Sequence, residues 1–179
     1  VAENFLYSVR HDNRFTAAEA RLLDLCLVLH MEHGGGNNSA FTCRVLSSTG
    51  TDIYSAVAAA VGSLKGPKHG GANKKVMEMF GYIKENVSDW KDDDEVSAFL
   101  EALLRREAGD RSGLIYGMGH AVYTMSDPRA VLLKQFARKV AEEKGMLREL
   151  ELLESVERLS PGAFQRVTGD SKVMCANVD

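Results

Sequence analysis

Three histidines stand beside glycines in segments that could do chemistry: M-E-H-G-G-G-N with His33, G-P-K-H-G-G-A-N with His69, and G-M-G-H-A-V-Y-T-M-S-D-P-R with His120 and Arg129. Each sits at the edge of a predicted helix. Glycine beside it lets a ligand approach the backbone closely. An imidazole near a helix N-terminus has its cationic form disfavoured, so it stays neutral and donates a hydrogen bond. His11 and His30 lack this setting and read as satisfied polar groups. The Asp-Pro-Arg stretch also reads as a plain turn, with Pro128 starting a helix. Taken on residue pattern alone, the chain is a helical protein with an anionic small-molecule site, and the pattern names no substrate.

The elements that must position these residues are almost all helical. T-A-A-E from Thr16 is a capping box. The helix behind it carries Leu22, Leu23, Cys26, Leu27 and Leu29, reads as buried, and ends near 30–33 before G-G-G. Asn37 or Asn38 caps a short helix through 44–48. T-G-T-D starts A-V-A-A-A-V-G-S-L, whose small side chains allow close packing and mark it as a central helix. Val76, Met79, Phe80 and Ile83 recur at helical spacing after the glycine pair. K-D-D-D-E, 91–95, is a solvated helix start whose acids complement the dipole of the helix that follows. Only G-L-I-Y-G, 113–117, looks like a strand. Pro128 opens a helix to about Lys144, M-L-R-E-L-E-L-L-E-S-V-E-R-L makes another, and Pro161 begins a last short one. The expectation is about eight helices, an all-α fold, with no internal repeat and no flexible linker.

Composition limits the partners. The chain has 179 residues, 45% apolar and 26% charged, with a net charge of -3. Basic residues are dispersed among acidic ones, which gives no field for nucleic acid. No segment has the apolar length to cross a bilayer. Cys26, Cys43 and Cys175 are widely spaced, unlike a zinc site or a disulfide scaffold, and fit a reducing, cytoplasmic setting. The chain starts at Val1 without a secretory signal and ends abruptly at V-M-C-A-N-V-D, so it is expected to be a piece of a longer protein.

G-P-K-H-G-G-A-N-K-K-V-M-E-M and G-M-G-H-A-V-Y-T-M-S-D-P-R-A resemble the two best-known signatures of the citrate synthase family, and H-M-E-H-G-G-G-N-N-S-A-F-T-C-R-V resembles the segment that precedes them. The order also matches, and the likeness runs from about Thr16 to the last residue. The ending A-N-V-D is similar to the family's segment for its catalytic aspartate, which would be Asp179. The resemblance implies a citrate synthase-like multihelical fold in two parts, 1–68 as partial large-domain helices and 69–179 as the small domain. It also implies a homodimer with its sites in the cleft between domains, the substrates acetyl-CoA and oxaloacetate, and no metal or cofactor.

That resemblance supplies roles for the residues. Carbon acidity beside a thioester is too weak for a carboxylate to form a free enolate, so proton removal is coupled to stabilisation of the thioester oxygen. Asp179 would be the base and His69 the donor to that oxygen. His120 would polarise the ketone of oxaloacetate. Arg129 would hold a substrate carboxylate by bidentate pairing, with His33 adding a contact. Leu114, Ile115, Tyr116, Gly117, Met118 and Gly119 would lie where the family accommodates coenzyme A. Two alternatives share these features: a 2-methylcitrate synthase using propionyl-CoA, and a non-catalytic relative that binds CoA or a dicarboxylate. The family site also uses arginines beyond the aspartate, so the 179-residue chain alone is expected to be inactive.

Overall fold

The computed structural model of the chain describes residues 1–31, 36–66, 70–119, 123, 125–171 and 174–178. Among these, eight helices form and no strand: α1 (Ala2–Val9), α2 (Ala17–His30), α3 (Asn38–Ser47), α4 (Ile53–Leu64), α5 (Ala72–Asn86), α6 (Asp93–Leu104), α7 (Pro128–Lys144) and α8 (Leu147–Thr168). Side-chain caps set most of the starts. Thr16 Oγ1 accepts the Glu19 N–H at 3.2 Å while Glu19 Oε2 accepts the Thr16 N–H at 2.7 Å. Asn37 caps α3, Asp52 caps α4, Asp92 caps α6 and Asp127 caps α7, each through a carboxylate or amide oxygen that satisfies an otherwise unpaired N–H. Gly145, in the left-handed region at φ 68°, ends α7.

The main core lies where α5, α6 and α8 meet. Met79 and Ile83 from α5, Val96 and Leu100 from α6, and Leu152 and Val156 from α8 are all buried there, joined by Ile115 from the loop after α6. α7 packs on α8 and on α2, and α1 packs on α2. Arg158 with Asp93 and Arg166 with Glu101 add exposed ion pairs along the α6 and α8 seam, which are worth little beside the apolar contacts.

Three sequence expectations change. α8 runs unbroken through Pro161. The proline removes one backbone donor, but Val156, Ser160 and Ala163 are buried on one face against the core, and Ser160 Oγ donates to the Val156 carbonyl at 2.5 Å. Packing outweighs the local break. The eighth helix is instead α1, which begins without any side-chain cap. Residues 113–117 form no strand, and Met118 makes only an isolated antiparallel bridge to Ala176.

The burial expectations also fail for two helices. Leu27 and Val28 of α2 are exposed, and the helix buries only Glu19 and Ala20. Among the described residues α4, read as central, packs on α3 and on no other helix, with Tyr54 84% and Val61 65% exposed. Apolar composition requires a covering surface but does not say where that surface comes from.

Glu19 joins three elements. Its carboxylate pairs with Arg10 Nη2 at 2.7 Å and Lys144 Nζ at 2.6 Å while capping α2, so α1, α2 and α7 meet at one nearly buried charge. The hydrogen bonds from Arg10 and then Lys144 hold the carboxyl down from 4.5 to about 2. A depressed carboxyl stabilises the fold above its unfolded value and loses that contribution as pH falls toward the folded value. We therefore expect stability to decline between pH 4.5 and about 2 in part through this group. In denaturant titrations across that window, Glu19→Gln flattens the decline while lowering stability at neutral pH.

Candidate active site

The site is built from two segments far apart in sequence. Gly117 and Gly119 adopt φ of 80° and 92°, a region that side chains with a Cβ rarely enter. At Gly117 a Cβ would also come within 3.2 Å of Val76 Cγ2. This backbone lets 117–119 run antiparallel to 175–177. The Asn177 N–H donates to the Gly117 carbonyl at 2.9 Å, the Gly119 N–H donates to the Cys175 carbonyl at 2.8 Å, and Asn177 Nδ2 donates to the Gly119 carbonyl at 3.3 Å. Cys175 Sγ adds a contact to the Tyr123 carbonyl at 3.3 Å. The residue before His120 thus lies beside the segment that leads to Asp179.

A polar junction fixes the same loop to α5. Tyr116 Oη donates to Asp110 Oδ2 at 2.8 Å, Lys75 Nζ reaches the same oxygen at 3.3 Å, and the Ser112 N–H donates to Asp110 Oδ1 at 3.0 Å. Partial burial opposes ionisation of Asp110, but the bonds from Ser112, Tyr116 and Lys75 outweigh it and hold the carboxyl at about 2. Lys75 lies on the helix that follows His69, so this anion ties that helix to the loop that precedes His120.

Arg129 sits in the first turn of α7, its side chain 23% exposed. Nε donates to Asp127 Oδ1 at 3.0 Å and Nη2 to Asp127 Oδ2 at 2.7 Å, a fork-to-fork pair on a fully buried carboxylate. The Tyr123 ring lies 5.9 Å from the guanidinium carbon. Behind the joined segments is a cavity of about 200 Å³, lined by apolar groups of α5, α7 and α8 together with Met118 and Val178. Among the described residues, no three His, Cys, Asp or Glu groups cluster as a metal site.

Of the predicted residues, His33, His69, His120 and Asp179 lie outside the described residues. α2 ends at His30, and α5 begins at Ala72 behind a Gly71 cap, which keeps His33 and His69 close in sequence to helix ends. For His120 the described neighbours are 117–119, which are not helical, and α7, which begins at Pro128 as expected from the sequence. In the predicted CoA loop the Leu114 side chain is exposed and that of Ile115 is buried in the core, so 115 can offer a ligand only main chain. Sequence reading missed Asp127 as the partner of Arg129, Asn177 as a strap across the loop, and Asp110 as its anchor. The first carried a signal: an acid two positions before an arginine at a helix start can cap and pair at once.

An all-α domain with a glycine-turned loop strapped to a distant segment beside a buried Asp–Arg fork is the class of protein this fold defines. The whole chain, residues 1–179, matches the family model described as citrate synthase, C-terminal domain. The chain belongs to the citrate synthase family. It is 40% identical over 158 residues to citrate synthase from Deinococcus radiodurans, covering 88% of this chain and 38% of that protein. It is 37% identical over 145 residues to 2-methylcitrate synthase from Shewanella oneidensis, covering 81% of this chain and 35% of that protein. The solved citrate synthase from Pyrobaculum aerophilum superposes with a TM-score of 0.72 at 31% identity, covering 99% of this chain and 40% of that one. The chain thus spans about two fifths of the length of these relatives.

Proposed function

We propose that the whole protein condenses acetyl-CoA with oxaloacetate and hydrolyses the resulting citryl thioester to citrate and CoA. The observation that carries this reading is the pairing of 117–119 with 175–177, which in a member of this family sets the approaches to His120 and Asp179 side by side. In the proposed sequence of events Asp179 removes a methyl proton from acetyl-CoA while His69 donates to the thioester oxygen, so that charge developing there is met as it forms. The enol carbon then attacks the ketone of oxaloacetate, polarised by His120. Arg129 and His33 hold the oxaloacetate carboxylates, and the main chain of 114–119 lies along CoA.

We further propose the division at 68/69, a homodimer, and a reducing cytoplasmic setting. α5 to α8 share one core, which supports the second part of the division, and α2 rests on α7 across it. The apolar face of the α3 and α4 pair, including Phe41, Ile53 and Tyr54, is exposed and suits a second copy. Cys26, Cys43 and Cys175 are all free thiols, and no helix among the described residues is long and apolar enough to cross a membrane.

The test is thiol release by the whole protein, together with exchange of acetyl-CoA methyl protons, at saturating oxaloacetate. Acetyl-CoA is expected to exceed propionyl-CoA in kcat/KM by roughly 10-fold to 200-fold, the range that one methylene can supply. The similarity to a 2-methylcitrate synthase favours the second reading, and a preference for propionyl-CoA would establish it. Binding of both ligands without proton exchange or thiol release would make the protein a non-catalytic relative.

A further inference from the structure

We propose that Asp110 is a positioning residue for the acyl-CoA substrate: its carboxylate, bonded to Tyr116, Ser112 and Lys75, sets the main chain of 114–119 at one fixed place relative to the start of α5. This rests on the reading in which that main chain lies along CoA and His69, just ahead of α5, meets the thioester oxygen.

Asp110 is aimed by the chain on both sides of it. Arg106 and Arg111 hold φ of 65° and 58°, left-handed values that cost energy in a residue with a Cβ. Gly109 is pressed against α6 and α5, where an added Cβ would come within 2.6 Å of Leu103 Cδ2 and 3.3 Å of Tyr82 Cδ2. Backbone strain persists only where the surroundings over-determine it, and here it carries one carboxylate to three donors.

Those donors come from three places. The Ser112 N–H, at 3.0 Å, closes the turn itself; Tyr116 Oη, at 2.8 Å, comes from the loop; Lys75 Nζ, at 3.3 Å, comes from α5. Lys75 also pairs with Glu78 Oε2 at 3.0 Å and stands 6.0 Å from the centre of the Tyr116 ring, so helix and loop meet through the ammonium as well. Partial burial opposes the charge on Asp110, but the bonds from Ser112, Tyr116 and Lys75 keep it ionised at neutral pH. Tyr116 is thereby held at both ends, its ring packed against the main core and its hydroxyl on Asp110. On either side Ile115 is buried and the Gly117 carbonyl accepts the Asn177 N–H. A loop already ordered when its ligand arrives loses little further freedom on binding. It also keeps the distance from CoA to the helix behind His69 from varying, and a misplacement of about 1 Å can cost about a hundredfold in rate.

The experiment is steady-state kinetics and thermal unfolding of the whole protein with two substitutions. Tyr116→Phe removes one hydroxyl and leaves the ring in the core, and Asp110→Asn keeps an oxygen for the Ser112 turn. The expected result in each is a fall in kcat/KM for acetyl-CoA of about threefold to tenfold, the span of one hydrogen bond, with the oxaloacetate KM and Tm nearly unchanged. The double variant should lose no more than the more impaired single variant, because both break the same bond. Unchanged kcat/KM for acetyl-CoA in both single variants, or losses that multiply in the double variant, overturns the proposal. A fall in Tm with both substrates affected alike overturns it too, since that is what a purely structural bond would give. Hydrogen exchange of the parent protein with and without CoA separates the two levels. If CoA slows exchange across 114–119 while the variants behave as the parent, only the positioning inference fails; if CoA leaves that segment unchanged, the assignment of the loop to CoA fails with it.

Discussion

Replacing His69 with alanine in the whole protein is expected to lower kcat by about 10² to 10³ while the oxaloacetate KM changes little. On the proposed roles, the imidazole donates to an oxygen that is weakly charged in bound acetyl-CoA and strongly charged once the methyl proton has moved. An interaction that grows toward the transition state appears in kcat, and loss of one such donor costs about 2.7 to 4 kcal/mol. His69 stands three positions ahead of Ala72, the first residue of α5, whose Gly71 cap makes no side-chain hydrogen bond. Steady-state kinetics with each substrate varied in turn decides it. A raised oxaloacetate KM at unchanged kcat would move His69 from proton transfer to carboxylate binding.

The second large effect is on stability. Leu100→Ala is expected to cost about 2–5 kcal/mol, because Leu100 is fully buried on α6 where α5 and α8 close over it. The truncated side chain leaves a cavity that three helices cannot fill without moving. Val61→Ala on α4 removes apolar atoms from a residue that is 65% exposed, and should stay within about 0.5 kcal/mol in the 179-residue chain. Thermal or denaturant unfolding of the two variants side by side checks the contrast. Similar losses would mean that the α3 and α4 pair is part of the same cooperative unit as the core.

Helix starts were the most legible part of the fold because a cap is a local event. Thr16 with Glu19, Asn37, Asp52 and Asp127 followed by Pro128 each announce themselves within four residues. α1 was not legible because nothing caps it, and the break expected at Pro161 did not occur because α8 stays continuous where it packs on residues of α6 some 60 positions away. Burial was the least legible property. α4 has the small apolar side chains of a central helix, yet its composition cannot specify that among the described residues α3 is the helix it packs on. At the site, the histidine segments stand out because glycine beside histidine serves no helical core. The strap formed by Asn177 and the anchor formed by Asp110 depend on distant partners, so no local spacing marks them.

The strap between 117–119 and 175–177 joins residues 58 positions apart, and what lies between them includes the whole of α7 and α8. Its ends meet only after that length of chain has been ordered, and closing so long a loop carries an entropic penalty that must be met first. Assembly of these two segments is therefore a late event on the folding route, following the helices rather than guiding them. The same geometry makes the strap a latch on the α7 and α8 unit. The Gly119 and Asn177 amides should exchange with solvent hydrogen only when that unit opens, so their exchange rates act as a clock for its opening. A ligand seated across the strap would slow both clocks together.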